Sequence, residues 1–145
     1  MAWRKSFGAL KIKLFKMKTL IIYLLGLSLF IEFILSILGI FYTDLALAIF
    51  KVETNNQTLF LANIIGWLCL FVSMMNFLAI YYLRINNSAA FSIIYCLSIF
   101  WILIGLGIYF QCQRTDNLFL DTIKGIILVL LTYFYQQKTS INNEN

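Results

Sequence analysis

The sequence predicts an all-α membrane protein: a bundle of four transmembrane helices preceded by a basic amphipathic segment. Three observations carry this expectation. Of 145 residues, 62% are hydrophobic and only 12% charged, too few polar groups to cover the surface of a water-soluble domain. The apolar residues gather into four span-length segments, at 19–41, 58–83, 89–110 and 118–136, each close to the length needed to cross a bilayer. Finally, six of the eleven Lys and Arg residues fall within the first 18 positions, as expected for a membrane topology signal.

Residues 1–18 come first. Wound as a helix, Trp3, Phe7, Leu10, Leu14 and Met17 form one narrow apolar stripe. Arg4, Lys11 and Lys18 flank it, with Lys5 and Lys16 further round. That pattern predicts an interfacial helix on an anionic leaflet; a plain topology signal is the other reading. Its expected partner is the anionic lipid headgroup, and not nucleic acid, because the patch adjoins a membrane span. A cleaved secretory signal is not expected, since the apolar run is span-length and no small-residue cleavage site follows. A mitochondrial presequence stays open, because no acid precedes Glu32.

The first span, 19–41, carries Glu32 near its middle. The loop 42–57 follows, with a short interfacial helix expected over 44–50. The second span, 58–83, and the third, 89–110, form a hairpin. The fourth, 118–136, has a short uninterrupted apolar core at 125–131, because Asp121 and Lys124 fall in its first two turns. Charges near a helix end reach the interface by snorkelling, so this segment is expected to span; a helix lying on the surface is the alternative. Residues 137–145 form a polar tail. Arg84 and Lys138 share a side with the basic N-terminus, whereas Lys51 and Arg114 are accompanied by Asp44, Glu53 and Asp116. The positive-inside rule then places both termini in the cytoplasm.

Composition also narrows the chemistry. There is no proline and no histidine, so no helix has a proline kink and the commonest general base and metal ligand is missing. Cys69, Cys96 and Cys112 lack C-x-x-C spacing and read as small packing residues. No nucleophile–base pair, phosphate-binding loop or acidic metal cluster is visible. The expectation is therefore a protein without catalysis, metal or cofactor.

Small and polar residues recur at helical spacing on every span. The first has Ser28, Glu32, Ser36 and Gly39; the second has Asn63, Gly66, Ser73 and Asn76. The third has Ser92, Cys96, Ser98, Gly105 and Gly107; the fourth has Asp121, Gly125 and Thr132. In lipid such stripes mark helix–helix contact faces. Glu32 stands apart, because a carboxyl at that depth is costly and is a functional-site candidate by default. It lies roughly 20 Å from the cytoplasmic end and Lys124 about 18 Å from the same side. The candidate intramembrane polar site is therefore Glu32 and Lys124 with Ser73, Asn76 and Asn63. One reading is structural: a Glu32–Lys124 pair, or a protonated Glu32 bonded to Ser or Asn. The other is a proton-titrating carboxylate lining a ligand or ion pathway. Asp121 competes for Lys124 from one turn away.

Two resemblances follow from these residues. The first combines a basic N-terminus, a first helix with a short external segment at 42–50, and a long hairpin turning on Leu83-Arg84-Ile85-Asn86-Asn87. A final short helix contains Lys124-Gly125. This layout resembles the small four-helix bacterial membrane proteins of the DoxX and BphX type. The resemblance implies a bundle in the bacterial inner membrane, accessory to quinone-linked or degradative pathways. The second covers helix one alone: Ile22-Tyr23-Leu24-Leu25-Gly26 followed by Glu32 is similar to the start of small multidrug transporters. That likeness implies proton and cation binding at Glu32. The expected function is a non-enzymatic accessory or apolar-ligand-binding subunit, paired with a second copy or a partner membrane subunit. The alternative is a small proton-coupled transporter using Glu32.

Overall fold

Asparagines set both ends of the third helix and the start of the fourth. The computed structural model describes the backbone of residues 2–112, 115 and 118–143, and the side chains of 15–110, 115 and 119–139. Helix α1 is Ala2–Phe41, α2 is Thr43–Ile49, α3 is Asn56–Arg84 and α4 is Ala89–Cys112; a π-helical turn, Leu118–Thr122, leads into α5, Ile123–Asn143. Asn55 caps α3, its Oδ1 accepting from the backbone N–H groups of Gln57 and Thr58 at 2.9 Å each, while Thr58 Oγ1 accepts from the Asn55 N–H at 2.9 Å. This reciprocal pair satisfies donors that the first turn leaves unpaired. At the other end of α3, Asn86 adopts φ 57°, and the Asn87 N–H bonds back to the Tyr82 carbonyl at 2.9 Å. That is a Schellman ending, with Asn in the left-handed position that glycine usually fills. Asn87 then starts α4 by accepting from the Ala89 N–H at 2.9 Å. Helix α2 closes in the same way through Lys51, at φ 55°, with the Val52 N–H on the Leu47 carbonyl at 2.9 Å.

Four helical stretches are long and apolar enough to cross a membrane: Phe15–Phe41, Asn56–Arg84, Ala89–Phe110 and Phe119–Thr139. Large apolar side chains such as Phe30, Trp67, Phe71, Phe77, Leu103 and Phe110 are exposed on them, where lipid replaces water as their environment. The protein is an integral membrane protein with an all-α, four-helix architecture. The expected spans all appear, with longer helices around them. Helix α1 has 40 residues, about 60 Å at 1.5 Å per residue, or roughly twice the hydrocarbon thickness. Residues 2–18 are thus part of the same helix as the first span. The stripe of Trp3, Phe7, Leu10 and Leu14 lies outside the described side chains, as do Arg114 and Asp116. The expected short helix at 44–50 is α2.

The chain divides into two compact units. One comprises residues 25–78; the other comprises 1–24 together with 79–145. In the second of these, Lys18 Nζ donates to Asn86 Oδ1 at 2.7 Å and to the Arg84 carbonyl at 3.4 Å. A cation at the carbonyl end of α3 suits the helix dipole. Lys138 Nζ lies 3.9 Å from Met17 Sδ. The start of the first span, the α3–α4 turn and the late part of α5 therefore meet at one end. Further along, α4 and α5 touch through Gly125: a Cβ there would stand 2.6 Å from the Ser98 carbonyl oxygen and 2.7 Å from Ile102 Cγ1. The Phe91 and Tyr135 rings, 6.0 Å apart, and the Tyr95 hydroxyl, which donates to Gln136 Oε1 at 3.1 Å, continue the contact.

Candidate functional site

Within residues 25–78, the polar stripe of α1 faces the polar stripe of α3. The register is antiparallel. Asn76 Nδ2 donates to Ser28 Oγ at 3.5 Å, Ser73 Oγ to the Leu29 carbonyl at 3.3 Å, and Asn63 Nδ2 to the Gly39 and Ile40 carbonyls at 3.5 and 3.4 Å. These bonds are at the long end of the useful range. Between them, Glu32 and Cys69 share a side-chain hydrogen bond. As α1 advances from Ser28 to Ile40, its partners step back from Asn76 to Asn63.

Geometry explains why these two faces choose each other. On α3, residues 62, 66, 69, 73 and 76 repeat at alternating spacings of four and three, the period that keeps one seam against a neighbouring helix. On α1, Ser28, Glu32, Ser36 and Gly39 do nearly the same. Small side chains bring the backbones close: a Cβ on Gly39 would lie 2.7 Å from Gly66 Cα and 2.9 Å from the Ala62 carbonyl oxygen. Ser28, Glu32, Ser36 and Ser73 are all at least 95% buried, and Asn76 is wholly so. Ser36 returns its hydroxyl to the Phe33 carbonyl at 2.7 Å, a local bond that hides a polar group in lipid. One group is left over: among the described residues, Asn76 Oδ1 has no hydrogen-bond partner.

The structure brings four of the five expected residues, Glu32, Asn63, Ser73 and Asn76, into one seam. Lys124 falls in the other unit. There Nζ lies 3.4 Å from Asp121 Oδ1 and 3.3 Å from the centroid of the Trp101 ring. Glu32 and Lys124 thus each have neighbours within their own unit. Two participants escaped the sequence reading. Cys69 reads from sequence as an apolar packing residue, although its spacing from Gly66 and Ser73 puts it on the same stripe. Trp101 carried no signal beyond its size. Among the described residues, no three His, Cys, Asp or Glu side chains gather as a metal site would require.

Comparison of the chain with known protein families, curated proteins and solved structures finds no match.

Proposed function

We propose that this protein is a non-enzymatic accessory or apolar-ligand-binding subunit of the bacterial inner membrane. The observation that carries the reading is how the α1–α3 seam uses its polar groups. Ser73, Asn63 and Asn76 bond to the facing helix, and the Glu32 carboxyl bonds to Cys69. They join two helices, as polar residues in lipid commonly do. The likeness to the DoxX and BphX type supports the same reading. Two measurements test it. Purified in mild detergent from its native membrane, the protein should carry a stoichiometric apolar ligand or a partner subunit. In liposomes it should pass protons and organic cations no faster than empty vesicles. Flux that disappears in Glu32→Gln would replace this reading with the proton-coupled transporter.

Within this reading both termini are cytoplasmic, and the N-terminal segment rests its basic residues on anionic headgroups. Lys18, Arg84 and Lys138 gather at one end of their unit, which concentrates positive charge on the side where the basic N-terminus enters. A reporter fused after Asn145 is expected to be active only in its cytoplasmic form. Activity of an exported reporter at that position would reverse the assignment.

A further inference from the structure

Lys16 differs from the other basic residues at its end of the protein. Lys18 is held by Asn86 and the Arg84 carbonyl, and Lys138 lies against Met17. Lys16 is exposed and has no hydrogen-bond or ion-pair partner among the described residues. The stretches 15–31, 79–110 and 122–139, which build this end, contain no Asp or Glu. Lys16 also lines a groove on α1, together with Phe15, Thr19, Leu20 and Tyr23. The groove measures about 260 Å³ and its wall is almost entirely apolar, so Lys16 lends it a carbon stem and carries its ammonium to the rim. Thr19 Oγ1 donates to the Phe15 carbonyl at 2.8 Å, which keeps that hydroxyl within the helix. Phe15 is the first residue of the first span, and Tyr23 lies about 12 Å further along it. The groove therefore runs from the membrane boundary into the hydrocarbon. Its volume falls below the roughly 300–1,000 Å³ that encloses a whole small molecule and suits one section of a chain lying along the helix.

We propose that this groove is a site for one anionic phospholipid. An acyl chain lies against Phe15, Thr19, Leu20 and Tyr23, and a phosphate oxygen accepts from Lys16 Nζ. Charge selects the headgroup. A zwitterionic lipid brings its own cation toward an end that already holds Lys16, Lys18, Arg84 and Lys138, whereas an anionic lipid adds none. Basic sites on the cytoplasmic side of membrane helices commonly take such headgroups. The site rests on the reading above that this end faces the anionic, cytoplasmic leaflet, and it turns a diffuse attraction into one retained molecule.

The test uses the full-length protein, delipidated in a mild detergent and followed by native mass spectrometry. Phosphatidylglycerol, phosphatidylcholine with the same chains, and oleate are titrated separately. Phosphatidylglycerol is expected to bind first as a single copy, at concentrations where phosphatidylcholine is not retained. Lys16→Gln should weaken that first copy by about five-fold, the weight of one basic residue near an anionic headgroup. Arg84→Gln removes the same charge at the same end but outside the groove, and should leave the first copy near its wild-type affinity. Thr19→Trp fills the groove and should abolish the first copy. Equal binding of the two phospholipids overturns the proposal, as does a Thr19→Trp protein that binds phosphatidylglycerol unchanged. Equal losses in Lys16→Gln and Arg84→Gln also overturn it, because they are the mark of a diffuse positive face without a site. Oleate that displaces the phospholipid at equal concentration makes a free fatty acid the occupant and overturns it too. Binding in detergent has no sidedness, so these results are independent of the reporter fusion, which alone decides the cytoplasmic assignment.

Discussion

Gly39→Leu is expected to leave almost no folded protein. A side chain at this position meets backbone, not flexible groups: its Cβ alone would be 2.7 Å from Gly66 Cα, 2.9 Å from the Ala62 carbonyl oxygen and 3.1 Å from the Gly66 nitrogen. None of these atoms can rotate aside, so α1 and α3 must separate. Separation stretches the bonds from Asn63 to the Gly39 and Ile40 carbonyls, already 3.5 and 3.4 Å long. A single inserted methyl in a packed core costs about 1–3 kcal/mol, which is the scale expected for Gly39→Ala or Gly66→Ala. Leucine adds three more carbons against the same backbone, so its cost reaches the scale of a typical folding margin, roughly 5–15 kcal/mol, and most material is lost in detergent. Gly26→Ala and Gly107→Ala are the controls, since nothing lies within 4 Å of a Cβ at either position. Both should match the wild-type thermal midpoint or rise slightly, because alanine is the better helix former by about 1 kcal/mol. Size-exclusion recovery and thermal midpoint of the five variants give the comparison. A Gly39→Leu protein recovered and melting like Gly26→Ala would disprove the close approach of the two helices.

The spans were legible because lipid demands long apolar runs, and the third span begins at Ala89 in both sequence and structure. Hydropathy marks the membrane boundary, however, and not the helix end. That is why the 19–41 run sits inside a helix reaching back to Ala2: a polar, basic segment without proline has no reason to stop winding. The helix ends at Asn55 and Asn86 could be anticipated from asparagine chemistry. The π-helical turn at Leu118–Thr122 could not, because those five residues carry no local mark that separates π from α winding. The faces of the seam were equally legible, since Ser28, Glu32 and Ser36 on α1 and Asn63, Ser73 and Asn76 on α3 are spaced by whole turns. Cys69 was overlooked because a thiol passes for an apolar side chain, although its position on the stripe was visible. For Lys124, the i, i+3 spacing from Asp121 was legible and the Trp101 face was not. In the structure, Asp121 one turn away and the Trp101 face take up positions beside its ammonium.

Glu32 should tolerate an amide and reject a cation. Glu32 is 95% buried and shares a hydrogen bond with the Cys69 thiol, a weak donor. Glutamine keeps the shape and an acceptor oxygen, so Glu32→Gln is expected to lose no more than about 1 kcal/mol, the net worth of one ordinary hydrogen bond. Lysine would reverse the charge at a position that is 95% buried and remove the acceptor used by the Cys69 thiol. Surroundings matched to an acid are mismatched to an ammonium, a buried mismatch that costs about 3–5 kcal/mol, and Glu32→Lys should be recovered poorly or not at all. The partner is tested by a double-mutant cycle of Glu32→Gln with Cys69→Ala on thermal stability in detergent. Contacting groups couple by roughly 0.5 kcal/mol or more; strictly additive losses would remove Cys69 as the partner. The same Glu32→Gln protein separates the two functional readings. If the carboxyl serves the seam, the variant inserts, folds and still carries whatever ligand or subunit accompanies the wild type. If it lines a pathway, the variant folds equally well but the flux of the wild type is gone. Stability alone cannot tell these apart, because the amide preserves the packing in both. The deciding pair of results is a folded Glu32→Gln protein together with its bound partner, and the accessory reading requires that both survive.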